Sequence, residues 1–255
     1  MTEGRPPRIL LTNDDGLNAA GLGELERLAR ELSDDVWLCA PATEQSAASH
    51  SLTIHRPLRL REVGEQRFTV DGTPTDCVLL AINHILADRK PDLVLSGINH
   101  GFNIGEDVTY SGTIAAAMEA TLLGIRSMAL SQEMADRPID FATVRHWAPG
   151  LLRQLIAAEW PRNVLININF PARGPQEVTG VAVARHGNRK IGDELTERLD
   201  PRGRTYFWIG TARSDGEIAP DTDVFGLQSG KITVTPLFLD LTHYPTIQTL
   251  QQALS

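Results

Sequence analysis

The amino-acid sequence predicts an α/β fold: a Rossmann-like, doubly wound, mostly parallel sheet with a smaller β-rich C-terminal extension. Short apolar runs typical of buried strands alternate with segments in which apolar residues recur at helical spacing, and this alternation stops near residue 170. Parallel strands need crossover connections, and helical crossovers cover both faces of a sheet. We therefore expect a Rossmann-like domain over residues 1–170 and the extension over residues 171–255.

The elements of the sheet domain follow one another along the chain. A strand is expected over 9–12, a helix over 21–32, where leucines recur at helical spacing, and an apolar strand over 36–40. These three form a β-α-β unit. The same rhythm predicts helices over 76–86, 113–123 and 141–158, and strands over 92–96, 127–131 and 164–169.

The extension has a different pattern. Helical periodicity fades, glycine, proline and arginine become frequent, and strand-like pieces over 180–184, 205–209 and 232–237 precede a short helical tail from Thr246. The stretch 185–204 is rich in arginine and lysine. Its composition favours a solvated loop, and the alternative is an arm used for contact between subunits.

Composition limits the classes of function. The chain has 255 residues, of which 42% are hydrophobic and 22% charged, as is usual for a globular protein. The net charge of −8 argues against a nucleic-acid polymer as the main partner, because phosphate backbones are bound by clustered Lys and Arg. Cys39 and Cys77 lie in apolar segments without metal-ligand spacing, so reduced buried thiols and a cytoplasmic location are expected. No apolar run is long enough to span a membrane, so no membrane partner is expected.

Oxygen-bearing side chains follow three of the predicted strands. Asp14 and Asp15 follow the first strand, Ser46 lies in the segment after the second, and Asn99 and Asn103 follow the third. Ligands of open α/β sheets bind outside the carboxyl ends of the strands, where these residues would meet. Carboxylate, hydroxyl and amide oxygens select Mg²⁺, Mn²⁺ or Ca²⁺ over zinc. Taken alone, the Asn-Asp-Asp-Gly segment is also good turn chemistry and favours a surface turn.

A second candidate site lies at the start of the helix over 113–123. Ser111, Gly112 and Thr113 precede or open an alanine-rich helical segment. The unpaired N–H groups and the dipole of a helix N-terminus bind anions, and the Ser and Thr hydroxyls supply further donors to a phosphate. The alternative is that these residues only cap the helix. A hard-cation site beside an anion site points to phosphoryl chemistry.

Several ordered motifs resemble the SurE family, the stationary-phase survival proteins that act as 5′-nucleotidases. The resemblance spans nearly the whole chain. It is carried by ILLTNDDG (9–16), GTPTDC (72–77), SGINHGFNIG (96–105), YSGTIAAAME (110–119), RLDPRG (198–203) with Tyr206 and Trp208, DTD (221–223) and TVTPL (233–237).

The resemblance implies a metal-dependent phosphatase that hydrolyses nucleoside 5′-monophosphates, and often 3′-monophosphates, in a homodimer or homotetramer whose C-terminal extensions are exchanged between subunits. The ion would be one Mg²⁺ or Mn²⁺, with Ca²⁺ as a substitute in crystals. By position its ligands would be Asp14, Asp15, Ser46 and Asn99. The substrate phosphate would be held by Asn103, Ser111, Gly112 and Thr113.

One loop departs from the family pattern. After Pro41 the family usually has an aspartate and, just before the ligand serine, an arginine, whereas this chain has Ala42 and Gln45. The two missing charges bear on the rigidity of the loop and on any phosphate contact from it, more than on the metal site.

The mechanism that these residues favour is metal-assisted attack by water. Asp14 and Asp15 are the candidate catalytic residues, and either could instead accept the proton or attack phosphorus directly. Two alternatives stay open: a nucleotide- or phosphate-binding regulator without turnover, and an acyl hydrolase with Ser46 or Ser111 as nucleophile. The second is disfavoured, since neither serine lies in a Gly-x-Ser-x-Gly segment. No histidine has an obvious role.

Overall fold

A sheet of nine strands runs through the protein, in a computed structural model that describes residues 5–135, 139–191, 194–210, 213–215 and 218–255. Two further pairs of strands lie outside this sheet. The strands are β1 (Ile9–Thr12), β2 (Val36–Pro41), β3 (Leu60–Gly64), β4 (Arg67–Val70), β5 (Leu93–His100), β6 (Arg126–Gln132), β7 (Val164–Phe170), β8 (Val181–Val183), β9 (Arg189–Ile191), β10 (Leu195–Leu199), β11 (Thr205–Ile209), β12 (Arg213–Asp215) and β13 (Ile232–Phe238).

The main sheet has the order β3-β4-β2-β1-β5-β6-β7-β13-β8. The five strands predicted from apolar runs, β2, β1, β5, β6 and β7, are adjacent and parallel, which confirms the predicted α/β fold. β3 is antiparallel to β4 and β13 is antiparallel to β7. The β3–β4 hairpin was not predicted, because β3 is mostly exposed and carries charged residues in place of an apolar run.

Helices cover the sheet on both faces. They are α1 (Ala20–Arg30), α2 (Pro74–Leu80), α3 (Gly112–Leu122), α4 (Ala142–Ala157), α5 (Asp223–Gln228) and α6 (Tyr244–Ala253). The predicted helix over 76–86 begins two residues earlier, at Pro74, and its last part, Ala81–Ile85, is a π-helical turn. A capping box explains the start: the Thr73 hydroxyl accepts from the Asp76 N–H, and the Asp76 carboxylate accepts from the Thr73 N–H. No described helix has both the length and the apolar character needed to cross a membrane.

Side chains that alternate along β1 enter two apolar cores, one on each face of the sheet. Ile9 and Leu11 face the side covered by α1 and α4, whereas Leu10 faces the side covered by α2 and α3. Cys39 and Cys77 are buried, reduced thiols on the latter side, as predicted. A strand buried on both faces is mostly apolar, and in β1 the first polar residues, Thr12 and Asn13, mark its end.

Beyond residue 170 the chain contributes to several parts of the structure. β8 and β13 belong to the main sheet, β9 pairs with β12, and β10 and β11 form a separate antiparallel hairpin. The strands predicted over 180–184, 205–209 and 232–237 and the helical tail are all present. Within 185–204, residues 192 and 193 lie outside the described part of the chain. The division into domains at residue 170 stays a prediction.

Candidate active site

A cleft of about 1060 Å³ lies at the carboxyl ends of β1, β2 and β5. This is the position that the topology of open α/β sheets favours for ligands. The structure brings all four predicted metal ligands to its walls, together with two of the predicted phosphate contacts: Asp14, Asp15, Ser46, Asn99, Asn103 and Ser111. Gly112 and Thr113 lie directly behind Asp14 and are buried.

Asp14 is buried against the first turn of α3. Its side chain is 5% exposed, and the Thr113 hydroxyl donates a hydrogen bond to its Oδ1 atom. A Cβ atom on Gly112 would lie 2.7 Å from the Asp14 Cβ, so only glycine allows the helix to start this close to the carboxylate. Burial, opposed by the Thr113 hydrogen bond and helped by the neighbouring Asp15 charge, raises the pKa of Asp14 to about 6.

Asp15 is held from the other side of the cleft by His100. The His100 backbone N–H donates to Asp15 Oδ2 at 3.3 Å, and the ring Nδ1 lies 3.7 Å from Asp15 Oδ1. Because the ring Nε2 accepts from the Gly21 N–H at 3.3 Å, the proton of the neutral ring is assigned to Nδ1, facing Asp15. Burial, opposed by the His100 backbone hydrogen bond and helped by the Glu44 charge, raises the pKa of Asp15 to about 6.

Ser46 and Asn99 complete the oxygen donors. Ser46 is exposed and its hydroxyl donates to Glu44 Oε1 at 2.6 Å. The Asn99 side-chain N–H donates to the Gly101 carbonyl at 2.8 Å, which orients the side-chain oxygen as the remaining acceptor. Each therefore offers an oxygen, because the Ser46 hydroxyl keeps its lone pairs free while it donates its proton to Glu44.

The loop after β2 is held by its backbone in place of the two charges that the family usually has there. The Ala42 N–H donates to the Val70 carbonyl at 2.9 Å, and the Gln45 N–H donates to the Asp14 carbonyl at 2.8 Å. The Ser49 N–H reaches the Tyr110 carbonyl at 3.1 Å. The backbone N–H groups of Ala42 and Gln45 thus attach the loop to the sheet and to the cleft, and these two bonds do not depend on the side chains at the two positions.

The donor set fits a hard divalent cation. Two adjacent carboxylates, Asp14 buried and Asp15 partly buried, have raised pKa values, and any cation that offsets their charge stabilises them. Among the described residues, no three His, Cys, Asp or Glu side chains cluster, so no site built from those four residue types alone is present there. The ligands available are therefore two aspartates with neutral serine and asparagine oxygens, which suits Mg²⁺ or Mn²⁺ and not zinc.

Ser111 and Asn103 are the two predicted phosphate contacts that line the cleft. Ser111 is the N-cap of α3, and its hydroxyl accepts from the Ile114 N–H at 3.1 Å. Asn103 is 6% exposed and its side-chain N–H donates to the Ser131 hydroxyl at 2.9 Å. The Thr113 hydroxyl is directed at Asp14, so the structure gives Thr113 the role of orienting that carboxylate.

The loop between β5 and α3 is also tied to the C-terminal part of the chain. Asp223 is fully buried, and it accepts hydrogen bonds from the Gly105 N–H at 3.1 Å and from the Gly187 N–H at 2.8 Å. Neither Asp223 nor His100 was identified from the sequence as a site residue. A single acidic residue or histidine forms no recognisable sequence motif, because the residues that it contacts are distant along the chain.

Comparison with known proteins decides the family. The family model described as survival protein SurE matches residues 9–193, well over half of the chain. This chain belongs to the SurE family. Two curated relatives, both named 5′-nucleotidase SurE, are similar over nearly their whole length. The one from Paramagnetospirillum magneticum is 58% identical over 96% of this chain and 95% of its own. The one from Rhodospirillum rubrum is 53% identical over 99% and 98%.

A solved SurE structure supports the same assignment. The crystal structure of the SurE protein from Aquifex aeolicus superposes with a TM-score of 0.85 at 36% identity, and the match covers 98% of this chain and 100% of that one. The SurE resemblance seen in the motifs is therefore confirmed over the whole chain.

Proposed function

We propose that this protein is a metal-dependent 5′-nucleotidase that hydrolyses nucleoside 5′-monophosphates, and also 3′-monophosphates, to nucleoside and phosphate. The observation that carries the proposal is the meeting of Asp14 and Asp15 with the N-terminus of α3 in one cleft. The names of the relatives, all 5′-nucleotidase SurE, support the choice of substrate.

In this proposal the ion is Mg²⁺ or Mn²⁺, held by Asp14, Asp15, Ser46 and Asn99. When bound, a divalent ion lowers the pKa of water and offsets charge on the phosphoryl group. Thr113 and His100 orient the two carboxylates through the contacts described above. Water is the nucleophile, because carboxylates committed to an ion and to these donors are poorly placed to attack phosphorus.

The substrate phosphate is held by Ser111, by Asn103 and by the N–H groups of the first turn of α3. The partial positive charge of a helix N-terminus stabilises a phosphate dianion and the charge that develops on it during reaction. Gly112 contributes by allowing the close approach between this turn and Asp14. Phosphate and ion are thus brought side by side.

The remainder of the cleft suits a nucleoside. Beside the polar end lie five apolar or aromatic side chains: Phe102, Tyr110, Met134, Ile139 and Phe141. Aromatic rings offer stacking surfaces that every base can use, which fits a broad preference among nucleotides. The cleft volume of about 1060 Å³ exceeds what a nucleoside monophosphate needs.

The test is phosphate release from a panel of 5′- and 3′-monophosphates with Mn²⁺ or Mg²⁺. We expect turnover by the wild-type protein, a loss of at least about 100-fold in Asp15→Asn, and no change in Asp88→Asn. Asp88 is exposed, in a turn outside the cleft, and serves as the matched control. Tight AMP binding without phosphate release would identify a regulator and refute the proposed enzyme.

We further propose that the protein works in the cytoplasm as a homodimer or homotetramer. The β10–β11 hairpin leaves a group of apolar side chains exposed, namely Leu195, Leu199, Phe207, Trp208 and Ile209. Exposed apolar groups of this kind mark protein contacts. α6, in the same C-terminal segment, also exposes apolar residues (Tyr244, Ile247, Leu250). The segment therefore offers two apolar surfaces for contact with a second copy of the chain.

A further inference from the structure

β7 carries two asparagines in the middle of the main sheet. Asn167 and Asn169 are both 0% exposed. Because side chains alternate along a strand, both face the side of α3, whereas Ile166 and Ile168 face the opposite core. Central positions of a strand buried on both sides normally hold apolar residues, so two polar amides here require a specific use.

Both amides are used on one residue of the cleft. Asn169 Oδ1 accepts from the Asn103 N–H at 2.7 Å, and Asn169 Nδ2 donates to the Asn103 carbonyl at 3.1 Å. Asn167 Nδ2 donates to the same carbonyl at 2.7 Å. Asn169 therefore binds the backbone of Asn103 as a neighbouring strand would, through one donor and one acceptor.

The side chain of Asn103 is fixed from β6. Ser131 is paired in register with Asn169 and lies on the same face of the sheet. Its hydroxyl accepts from Asn103 Nδ2 at 2.9 Å. An amide nitrogen has two N–H groups, so this bond sets the direction of the second one.

We propose that Asn167 and Asn169 are positioning residues, which hold the backbone of Asn103 so that its remaining amide N–H is aimed at the substrate phosphate. The inference rests on the proposed function. Asn103 lies four positions after Asn99 in the chain, and both residues line the cleft. Fixing its backbone fixes the distance between the phosphate donor and the metal ligands.

The neighbouring strand provides the matched comparison. Thr235 on β13 is paired in register with Asn167 and is 1% exposed. Its hydroxyl has no hydrogen-bond partner within the described part of the chain. A buried polar side chain at the same level of the sheet thus exists without a hydrogen bond to the loop. Thr235→Val therefore tests the removal of a buried polar group that does not hold Asn103.

The test uses Asn167→Ala, Asn169→Ala and Ser131→Ala, with Thr235→Val as the control. Two binding constants are measured by calorimetry on the full chain: the Kd of Mn²⁺, and the Kd of inorganic phosphate with Mn²⁺ saturating. The kinetic constants kcat and KM for AMP are measured in parallel. Misplacing a contact group by about 1 Å costs on the order of 100-fold, and outer positioning groups typically contribute about 10- to 100-fold.

We expect the asparagine variants to raise the phosphate Kd by about 10-fold and to lower kcat/KM by about 10- to 100-fold. The Mn²⁺ Kd should stay within about twofold, because the variants leave the four metal-ligand side chains in place. Ser131→Ala should raise the phosphate Kd by a smaller factor of about threefold, since it removes one neutral hydrogen bond. Thr235→Val should keep wild-type values throughout.

Wild-type phosphate affinity and kcat in folded Asn167→Ala and Asn169→Ala proteins would overturn the inference. If those variants do not fold, the Ser131→Ala variant provides the test. A phosphate Kd equal to the wild-type value in Ser131→Ala would also overturn the inference. If the wild-type protein binds phosphate but releases none from AMP, the proposed function fails while the phosphate Kd series still decides this inference. A wild-type protein that binds no phosphate refutes it outright.

Discussion

Replacing Asp14 by asparagine should stabilise the metal-free protein at neutral and alkaline pH. Asp14 is nearly fully buried, beside a second carboxylate, and its pKa is raised to about 6 from an ordinary value of 3.8. The folded state therefore binds this proton more tightly than the unfolded chain does. Asparagine removes the charge and keeps an oxygen that can accept the Thr113 hydrogen bond.

The magnitude follows from the difference between the two pKa values. A shift of about two units, at about 1.4 kcal/mol each, means that ionising Asp14 lowers the free energy of unfolding by up to about 3 kcal/mol. This loss of stability is absent below pH 3.8, the pKa of the aspartate in the unfolded chain. It grows as the pH rises and is complete above about pH 6, the pKa of Asp14 in the folded protein. Stability of the metal-free wild-type protein should thus fall over that interval.

Thermal unfolding in excess chelator, between pH 4.5 and pH 8, measures the effect. For a chain of this size each kcal/mol corresponds to about 2–4 °C, so Asp14→Asn should raise the Tm at pH 8 by up to about 6–12 °C and much less at pH 4.5. Asp76→Asn is the contrasting control. Asp76 is as buried, but it accepts from the Thr53 and Thr73 N–H groups, so the same change should destabilise by about 1 kcal/mol. An Asp14→Asn protein that is less stable than wild type at pH 8 would refute the reasoning.

Two further changes test the cleft and the assembly. Gly112→Ala places a methyl group 2.7 Å from the Asp14 Cβ, so calorimetry should show that the Mn²⁺ affinity is weakened by about 10-fold. Gly150, in α4, has open space around it and is the control. Gly150→Ala should stabilise the protein by about 0.5–1 kcal/mol and keep the wild-type Mn²⁺ affinity. Equal Mn²⁺ affinity in the two variants would contradict the packing described for Gly112. Trp208→Lys should reduce the mass measured by sedimentation toward that of the 27.9 kDa chain, and an unchanged oligomer would exclude the hairpin as its contact.

The sequence was sufficient for the central sheet because β1, β2, β5, β6 and β7 are buried on both faces and therefore consist mostly of apolar residues, although Asn167 and Asn169 interrupt the pattern in β7. It was insufficient for the β3–β4 hairpin, whose first strand is exposed and charged. Site residues that lie in short sequence motifs were identified from the sequence. The structure places the predicted metal ligands around one cleft.

Residues that act through distant partners could not be found in this way. Asn167 and Asn169 meet Asn103 across more than 60 positions of the chain, and Asp223 meets Gly105 across 118. Only the fold brings these pairs together, so no local pattern of residue types reveals them. The same holds for His100, whose bond to Asp15 spans 85 positions.

The most direct test of the central claim is a titration of Mn²⁺ into chelator-stripped protein, with bound Mn²⁺ and phosphate release from AMP followed together. The account predicts no turnover without metal, and activity that rises in step with occupancy to a single ion per chain. Asp14→Asn and Asp15→Asn should lose both signals. Full turnover before any ion is added, or wild-type turnover in Asp15→Asn, would contradict a metal-dependent site at the end of β1.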